Sequence, residues 1–406
     1  MKPLVALRNL LIGLALVALS GCGGGGGGTP TPPTHGAWTL MVFLNAANDL
    51  DAYSTLNVLQ MQQAATNPDV RIVVQWKQSK KVSVNATFNG TRRYLIKQSN
   101  GPNVVSQLVE NMGTGVDMGV PQTVNRFVAW SKARYPADHY ALVMWDHGSG
   151  WQRMAIKARQ KPKPLAVSLD SETGHSIETW QLNQALQNEH VDILAFDASL
   201  MQMAEVAYQL VGSADYVAGS EESPPGDGYP YQNAFATFAN NPTGTPASLS
   251  KAFVDAMTQY PQYATDKIEE SVIDTSQMAG VASAASALSA AMIANAGAID
   301  GIIPQARSNT QAYLPSSTQY YYDVVDLCHQ ISALTANAPV QTACANLATA
   351  VGTAVIWEGH NSHSAGSHGL SIDFSPSSYF KGVSSDYTQL AWSTPSAWGQ
   401  WLAVAP

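Results

Sequence analysis

The chain has 406 residues, 45% of them hydrophobic and only 12% charged, with a formal charge of −8. That length and composition sustain a buried core and exclude wholesale disorder, while the acidic balance argues against a nucleic-acid partner, which needs a basic stripe to neutralise phosphates. Three cysteines are too few for a disulfide scaffold, and no set of Cys and His has the spacing of a structural zinc site.

In chain order, Lys2 and Arg8 lead into the apolar run Leu10 to Leu19, long enough for a secretion signal and short of the ~20 residues of a spanning helix. Residues 1–21 are therefore expected to be a signal peptide, whose removal takes Lys2 and Arg8 away and moves the formal charge from −8 to −10. The run ends in Leu19-Ser20-Gly21-Cys22, which resembles a bacterial lipobox and implies lipidation of Cys22 and a membrane partner through that anchor. Gly23 to Gly28 and Thr29-Pro30-Thr31-Pro32-Pro33 make residues 22–36 a tether, flexible and then stiffer. Gly23 in place of Asp after the cysteine implies, in a Gram-negative envelope, the outer membrane.

From Trp38 the pattern is α/β. Strands are expected at Trp38 to Leu44, Val70 to Trp76, Tyr140 to Trp145, Val191 to Phe196 and Tyr216 to Ala218. Helices are expected at Leu50 to Ala65, Val120 to Arg134, Glu178 to Glu189 and Leu200 to Val211, with a polar hairpin over Val82 to Ile96. Alternation of this kind builds a mostly parallel sheet covered on both faces, with ligand sites at the carboxyl ends of its strands. Residues 37–240 form this core. Residues 241–406, richer in Ala, Ser and Gln, form a mostly helical region (Leu249 to Gln259, Met278 to Ala298, Val340 to Val351) that returns to the sheet edge through Ala354 to Trp357 and Gly369 to Phe374. Cys328 and Cys344 flank the turn at Ala338-Pro339, where an oxidising compartment allows either a bridge or two buried thiols.

Two strand ends carry chemistry. Tyr140 to Trp145 runs into Asp146-His147-Gly148-Ser149-Gly150-Trp151, and Val191 to Phe196 runs into Asp197-Ala198-Ser199-Leu200-Met201. A histidine followed by glycines on one strand end, and a hydroxyl before a helix on the next, can bring a base to a nucleophile, with helix amides to stabilise an oxyanion. The residues alone equally allow Ser199 to be an N-cap and His147 an ordinary loop histidine.

At these blocks the sequence resembles the clostripain family of cysteine peptidases. The resemblance runs through Trp38 to Leu44 with Asn48-Asp49-Leu50-Asp51, Trp145 to Trp151, Ile193 to Ala198 with Leu200-Met201, and Ser220-Glu221-Glu222 to Pro230; Gly369 to Ile372 matches more weakly. It implies a caspase-like α/β/α sandwich, a His-Cys dyad on neighbouring strand ends, and cleavage of protein substrates after Arg or Lys. Carried over, His147 matches the base, Ser199 stands where the nucleophilic cysteine belongs, and Asp197 and Asp227 match carboxylates of the basic-side-chain pocket, a sensible partner for a desolvated cation. Family members are often activated by cleavage between the two strands, where this chain carries Arg153, Lys157, Arg159, Lys161 and Lys163.

No cysteine lies between Cys22 and Cys328, so the sheet region offers no thiol. A thiol of pKa ~8.5 beside a histidine supplies thiolate, whereas a serine hydroxyl must lose its proton during attack and needs an oriented base. The resemblance supplies no third residue to orient His147, and Asp146, adjacent on the strand, points to the other face. Two outcomes stay open: a Ser199-dependent endopeptidase with doubtful hydrolysis, or a peptide-binding envelope lipoprotein without it. No cofactor is expected. Calcium at Asn48, Asp49 and Asp51 is suggested only by some relatives, and His360, His363 and His368 lack a ligand pattern.

Overall fold

The computed structural model describes residues 34–152, 167–316 and 319–406; Cys22 with its leader, the tether as far as residue 33 and the basic loop from Arg153 to Lys163 lie outside the described residues, while Gly36, expected to end the tether, opens the first strand. Alternation decides the architecture. In the strand Gly36–Ala46 (β1), Trp38, Leu40, Val42 and Leu44 pack into one apolar cluster, while Met41 and Phe43 pack into another. A strand buried on both sides has to lie inside a sheet covered on both faces.

The other strands are Val70–Gln78 (β2), Gly90–Leu95 (β3), Gln107–Gly113 (β4), Ala137–Trp145 (β5), Val167–Asp170 (β6), His175–Ile177 (β7), Val191–Asp197 (β8), Ala214–Gly219 (β9), Glu269–Asp274 (β10), Ala312–Ser316 (β11), Gln319–Asp323 (β12), Val355–His360 (β13) and Ser371–Asp373 (β14). Nine of them form one sheet in the order β13-β10-β9-β8-β5-β1-β2-β3-β4. Its centre, β2-β1-β5-β8-β9, is parallel, and the flanking pairs are antiparallel.

Helices Asp51–Ala64 (α1), Pro121–Arg134 (α2), Leu182–Ala185 (α3), Ala204–Gln209 (α4), Tyr231–Asn240 (α5), Pro246–Thr258 (α6) and Met278–Ala294 (α7) cover it. Val58, Phe235, Phe238 and Phe253 of α1, α5 and α6 pack on one face; Val124, Phe127, Val206, Val281 and Leu288 of α2, α4 and α7 pack on the other. Burying each such side chain contributes roughly 1.5–3 kcal/mol. By length and composition Thr275–Ala294 would cross a membrane, yet here its Val281, Ala285 and Leu288 are inside the protein.

Several expected elements change. The stretch Val82 to Ile96 holds one strand, β3, which pairs with β2 and with the unforeseen β4 rather than folding on itself. β4 is largely exposed at the sheet edge, so its sequence carries no apolar alternation. The helix expected over Glu178 to Glu189 shrinks to a 3-10 turn and the four-residue α3, and Asn188 beyond it takes a left-handed φ of 60°. The helix expected from Leu200 begins only at Ala204, with Met203 as its N-cap, because Leu200 itself has a φ of 65°. Ser199 is therefore not an N-cap. β13 joins the main sheet, but Gly369 to Phe374 supplies β14, third strand of the separate sheet β11-β12-β14. β10 escapes a polarity reading because Glu269 and Glu270 are both buried, accepting from Ser220 Oγ (2.6 Å) and from the Tyr229 hydroxyl. Cys328 and Cys344, on helices Val324–Leu334 and Ala338–Ala354, stand as buried free thiols in mutual contact.

Candidate active site

Leaving β1, the parallel strands are added on one side by β2 and on the other by β5, β8 and β9. At such a reversal the connections part and leave a crevice at the carboxyl ends. Asp49 follows β1, His147 follows β5 and Ser199 follows β8.

Register brings the last two together. Trp145 pairs with Asp197, and the Asp146 amide donates to the Asp197 carbonyl (3.2 Å), so the residues just beyond lie side by side. Gly148 makes the approach possible: a Cβ there would sit 2.2 Å from the Ser199 carbonyl oxygen. His147 and Ser199 line one cleft of about 240 Å³ with Asp197 and the wall Ser223-Pro224-Pro225-Gly226.

Ser199 sits on a sharp turn forced by its neighbour. Leu200 is fully buried in the left-handed region, a conformation that costs a non-glycine residue about 1 kcal/mol or more and persists where surrounding structure imposes it. Its amide donates to the Glu222 carbonyl (2.9 Å), and α4 starts four residues later, so no helix end follows Ser199 directly as the sequence suggests. The Ser199 hydroxyl pairs with that of Ser223 (2.9 Å). Among the described residues no hydrogen bond joins it to His147.

His147 is held by Asp49, a carboxylate for which the sequence suggests only a calcium role. Its Nε2 lies 2.7 Å from Asp49 Oδ1. Burial pulls the imidazolium down, but the Asp49 hydrogen bond and the charges of Asp146 and Asp49 outweigh it and leave the pKa above the ordinary histidine value. Asp49 is correspondingly lowered, chiefly by that hydrogen bond. Asp146 plays another part: its Oδ1 accepts from the His147 amide (2.6 Å) and from Asn48 Nδ2 (2.7 Å).

Asp197 lies beneath Gly228, whose Cβ, had it one, would meet both carboxylate oxygens at 2.6 Å; φ at Gly228 is 67°. It accepts from the Tyr231 hydroxyl (2.7 Å) and the Tyr229 amide (3.2 Å), and burial pushes it up to about 7. Asp227 is exposed and does not line the cleft, though its neighbours Gly226 and Gly228 do; its carbonyl accepts from Asn57 Nδ2 (2.8 Å), and Asn57 also accepts from the Trp145 indole (2.8 Å). The turn is thus fastened to α1 and β5. Asn57, Tyr229 and Tyr231 gave no signal in sequence beyond their apolar or helical surroundings.

The calcium trio diverges. Asn48 bonds Asp146 and the Leu169 carbonyl, Asp49 bonds His147, and Asp51 bonds Gln78 and Ser83. Among the described residues no three His, Cys, Asp or Glu side chains could hold a metal ion. His360 and His368 pair separately with Glu358 and Asp323.

Burial also raises Glu205, to about 8, with Asp373 nearby adding to the effect. Neutral in the fold and ionised in the unfolded chain at intermediate pH, Glu205 and Asp197 contribute stability that is complete below their ordinary values near 4 and is lost as pH climbs through about 7 and about 8. The urea midpoint should therefore be higher at pH 5.5 than at pH 8.5; a flat or inverted profile contradicts neutral carboxyls.

A doubly covered parallel sheet with a histidine and a serine-bearing turn on adjacent strand ends has the architecture of the caspase-like class of peptidase scaffold. The model of the clostripain family matches residues 42–403, and this chain belongs to that family. Clostripain of Hathewaya histolytica is 28% identical over 224 residues, which are 48% of this chain and 41% of that protein, so the match spans less than half of the relative's length. In structure the chain is similar to an inactive zymogen C11 protease from Parabacteroides distasonis (TM-score 0.65, 20% identity, covering 90% of this chain and 99% of the other). It is also similar to a secreted C11 cysteine protease from Bacteroides thetaiotaomicron in complex with an irreversible peptide inhibitor (TM-score 0.63, 19% identity, 90% and 100%).

Proposed function

We propose that this chain is an endopeptidase homologue directed at bonds following Arg or Lys, with Ser199 as nucleophile and His147 as base, and that its turnover is slow. The observation carrying this reading is the shared cleft: His147 and Ser199 line one cavity, fixed by the close approach of Gly148 to the Ser199 backbone. Slow turnover follows from chemistry. No thiol lines the cleft among the described residues, the hydroxyl is engaged with Ser223, and an imidazole with a raised pKa is more often protonated when it has to accept a proton. Those same features favour a second reading, a peptide-binding protein that no longer hydrolyses.

The assay is the native chain on arginyl and lysyl peptides beside Ser199→Ala. Hydrolysis lost in the variant supports the enzyme; peptide affinity with equal, background turnover in both supports the binding protein. Basic specificity is assigned to Asp197, whose buried carboxyl would ionise against an entering cation. Asp197→Asn should lower the preference for Arg and Lys over neutral side chains by roughly a hundredfold, as expected of a desolvated charge pair. Asp227→Ala should cost about fivefold or less because an exposed pair is worth at most ~1 kcal/mol. Unchanged preference in both variants removes the assignment. The leader and Cys22 support, on this reading, a lipid-anchored envelope protein, held at the outer membrane if the cell is Gram-negative, and fractionation that finds it free of membrane rejects the anchor.

A further inference from the structure

We propose that Asp49 is the positioning residue of this site, holding the Nε2 side of the His147 imidazole so that Nδ1 is the nitrogen left to serve Ser199. The proposal rests on reading His147 as the base for Ser199 and deepens it. A thiolate needs little help from its histidine once formed, but a hydroxyl stays protonated until attack, so its base has to be in the right tautomer and orientation at that moment. A carboxylate accepts hydrogen bonds and donates none, so Asp49 at 2.7 Å fixes the proton on Nε2 and leaves the lone pair on Nδ1.

The turn carrying Asp49 is built for that position. Asn48, almost fully buried, accepts the Leu50 amide at Oδ1 (2.9 Å) and donates Nδ2 to Asp146 Oδ1 (2.7 Å) and the Leu169 carbonyl (2.9 Å). Asp146 Oδ1 in turn accepts the His147 amide (2.6 Å). One chain of hydrogen bonds therefore registers the end of β1 against the end of β5, and Asp49 meets the imidazole from a separate strand. Asp146 directs Oδ1 at the His147 amide and at Asn48, and among the described residues no hydrogen bond joins it to the imidazole. The charged groups bearing on His147 are Asp49, from the turn after β1, and Asp146, from its own strand end. With its side chain 81% exposed, Asp49 acts in solvent, so its hold should weaken with added salt.

The test uses the full chain with Asp49→Asn and Asp49→Glu, read in two ways. The first needs no turnover: the His147 ring resonance, assigned by its absence in His147→Ala, is titrated by NMR. Asp49→Asn should move its midpoint to lower pH, and Asp49→Glu should restore it; an unmoved midpoint overturns the proposal even if the protein proves inactive. The second is kinetic, in the native chain or, should that be silent, in the Ser199→Cys background. In the native chain Asp49→Asn should lower kcat about tenfold or more and shift downward the acid limb of the pH profile, which the neutral imidazole sets, with KM little changed and partial recovery in Asp49→Glu; in the Ser199→Cys background, where the imidazolium is the working form, the alkaline limb is the one that should shift downward. A fall in kcat with an unmoved limb and no recovery would make Asp49 merely structural. Silence of both backgrounds on peptide, with the NMR shift intact, would instead defeat the peptidase reading and leave the Asp49–His147 pairing standing.

Discussion

Ser199→Cys is expected to raise the rate of hydrolysis of arginyl and lysyl peptides by roughly a hundredfold or more, the largest functional change any single substitution here should produce. The geometry asks for little adjustment. The turn that displays residue 199 is set by the left-handed backbone of buried Leu200 and by its amide bond to Glu222, neither of which involves the hydroxyl. The imidazole already lines the same cleft. What changes is the nucleophile: a thiol beside a histidine with a raised pKa forms a stable thiolate–imidazolium pair, so the protonated imidazole that hampers serine favours cysteine. Burst kinetics with a chromogenic arginyl or lysyl ester, together with covalent capture by a thiol-directed alkylating peptide, measure the gain. A Cys variant no faster than the native chain would mean that the turn does not present residue 199 to the substrate.

The largest structural effect at the site is expected from Gly148→Ala. The added methyl would lie 2.2 Å from the Ser199 carbonyl oxygen and 3.0 Å from its amide nitrogen, backbone atoms that cannot swing aside as a flexible side chain would. Relief requires moving one strand end away from the other, at a cost of about 2–3 kcal/mol in stability. Separation also moves His147 away from residue 199, so in the Ser199→Cys background activity should fall by about two orders of magnitude, beyond what the loss of stability explains while the protein remains folded. Thermal unfolding gives the first quantity and titration of the reactive thiol against pH gives the second. Normal stability and an unaltered thiol pKa would show that the two strand ends are not in contact.

The alternating pattern of β1, β5 and β8 was readable because burial on both faces leaves a continuous apolar run, and the glycines after His147 marked a strand end where backbone approaches backbone. Elements whose buried residues are polar were not readable. β10 has Glu269 and Glu270 where a sheet interior normally has Val or Ile, and donors distant in sequence, Ser220, the Glu222 amide and Tyr229, make their burial tolerable. α4 begins four residues later than the pattern suggests because Leu200, Met201 and Met203 fit a helical face, although the turn bonding Leu200 to Glu222 forbids one.

By itself, the sequence determined that the sheet is mostly parallel and covered, that a histidine and a serine each follow a buried strand, and that no cysteine lies near either in the chain, because these depend on periodicity and residue identity. Only the tertiary structure decided which carboxylate holds the imidazole, that Asp197 lines the cleft while Asp227 does not, and that Ser199 sits on a turn beyond a strand rather than starting a helix. Those outcomes come from hydrogen bonds between residues tens to hundreds of positions apart, and a pattern along the chain holds no record of which partners folding will bring together.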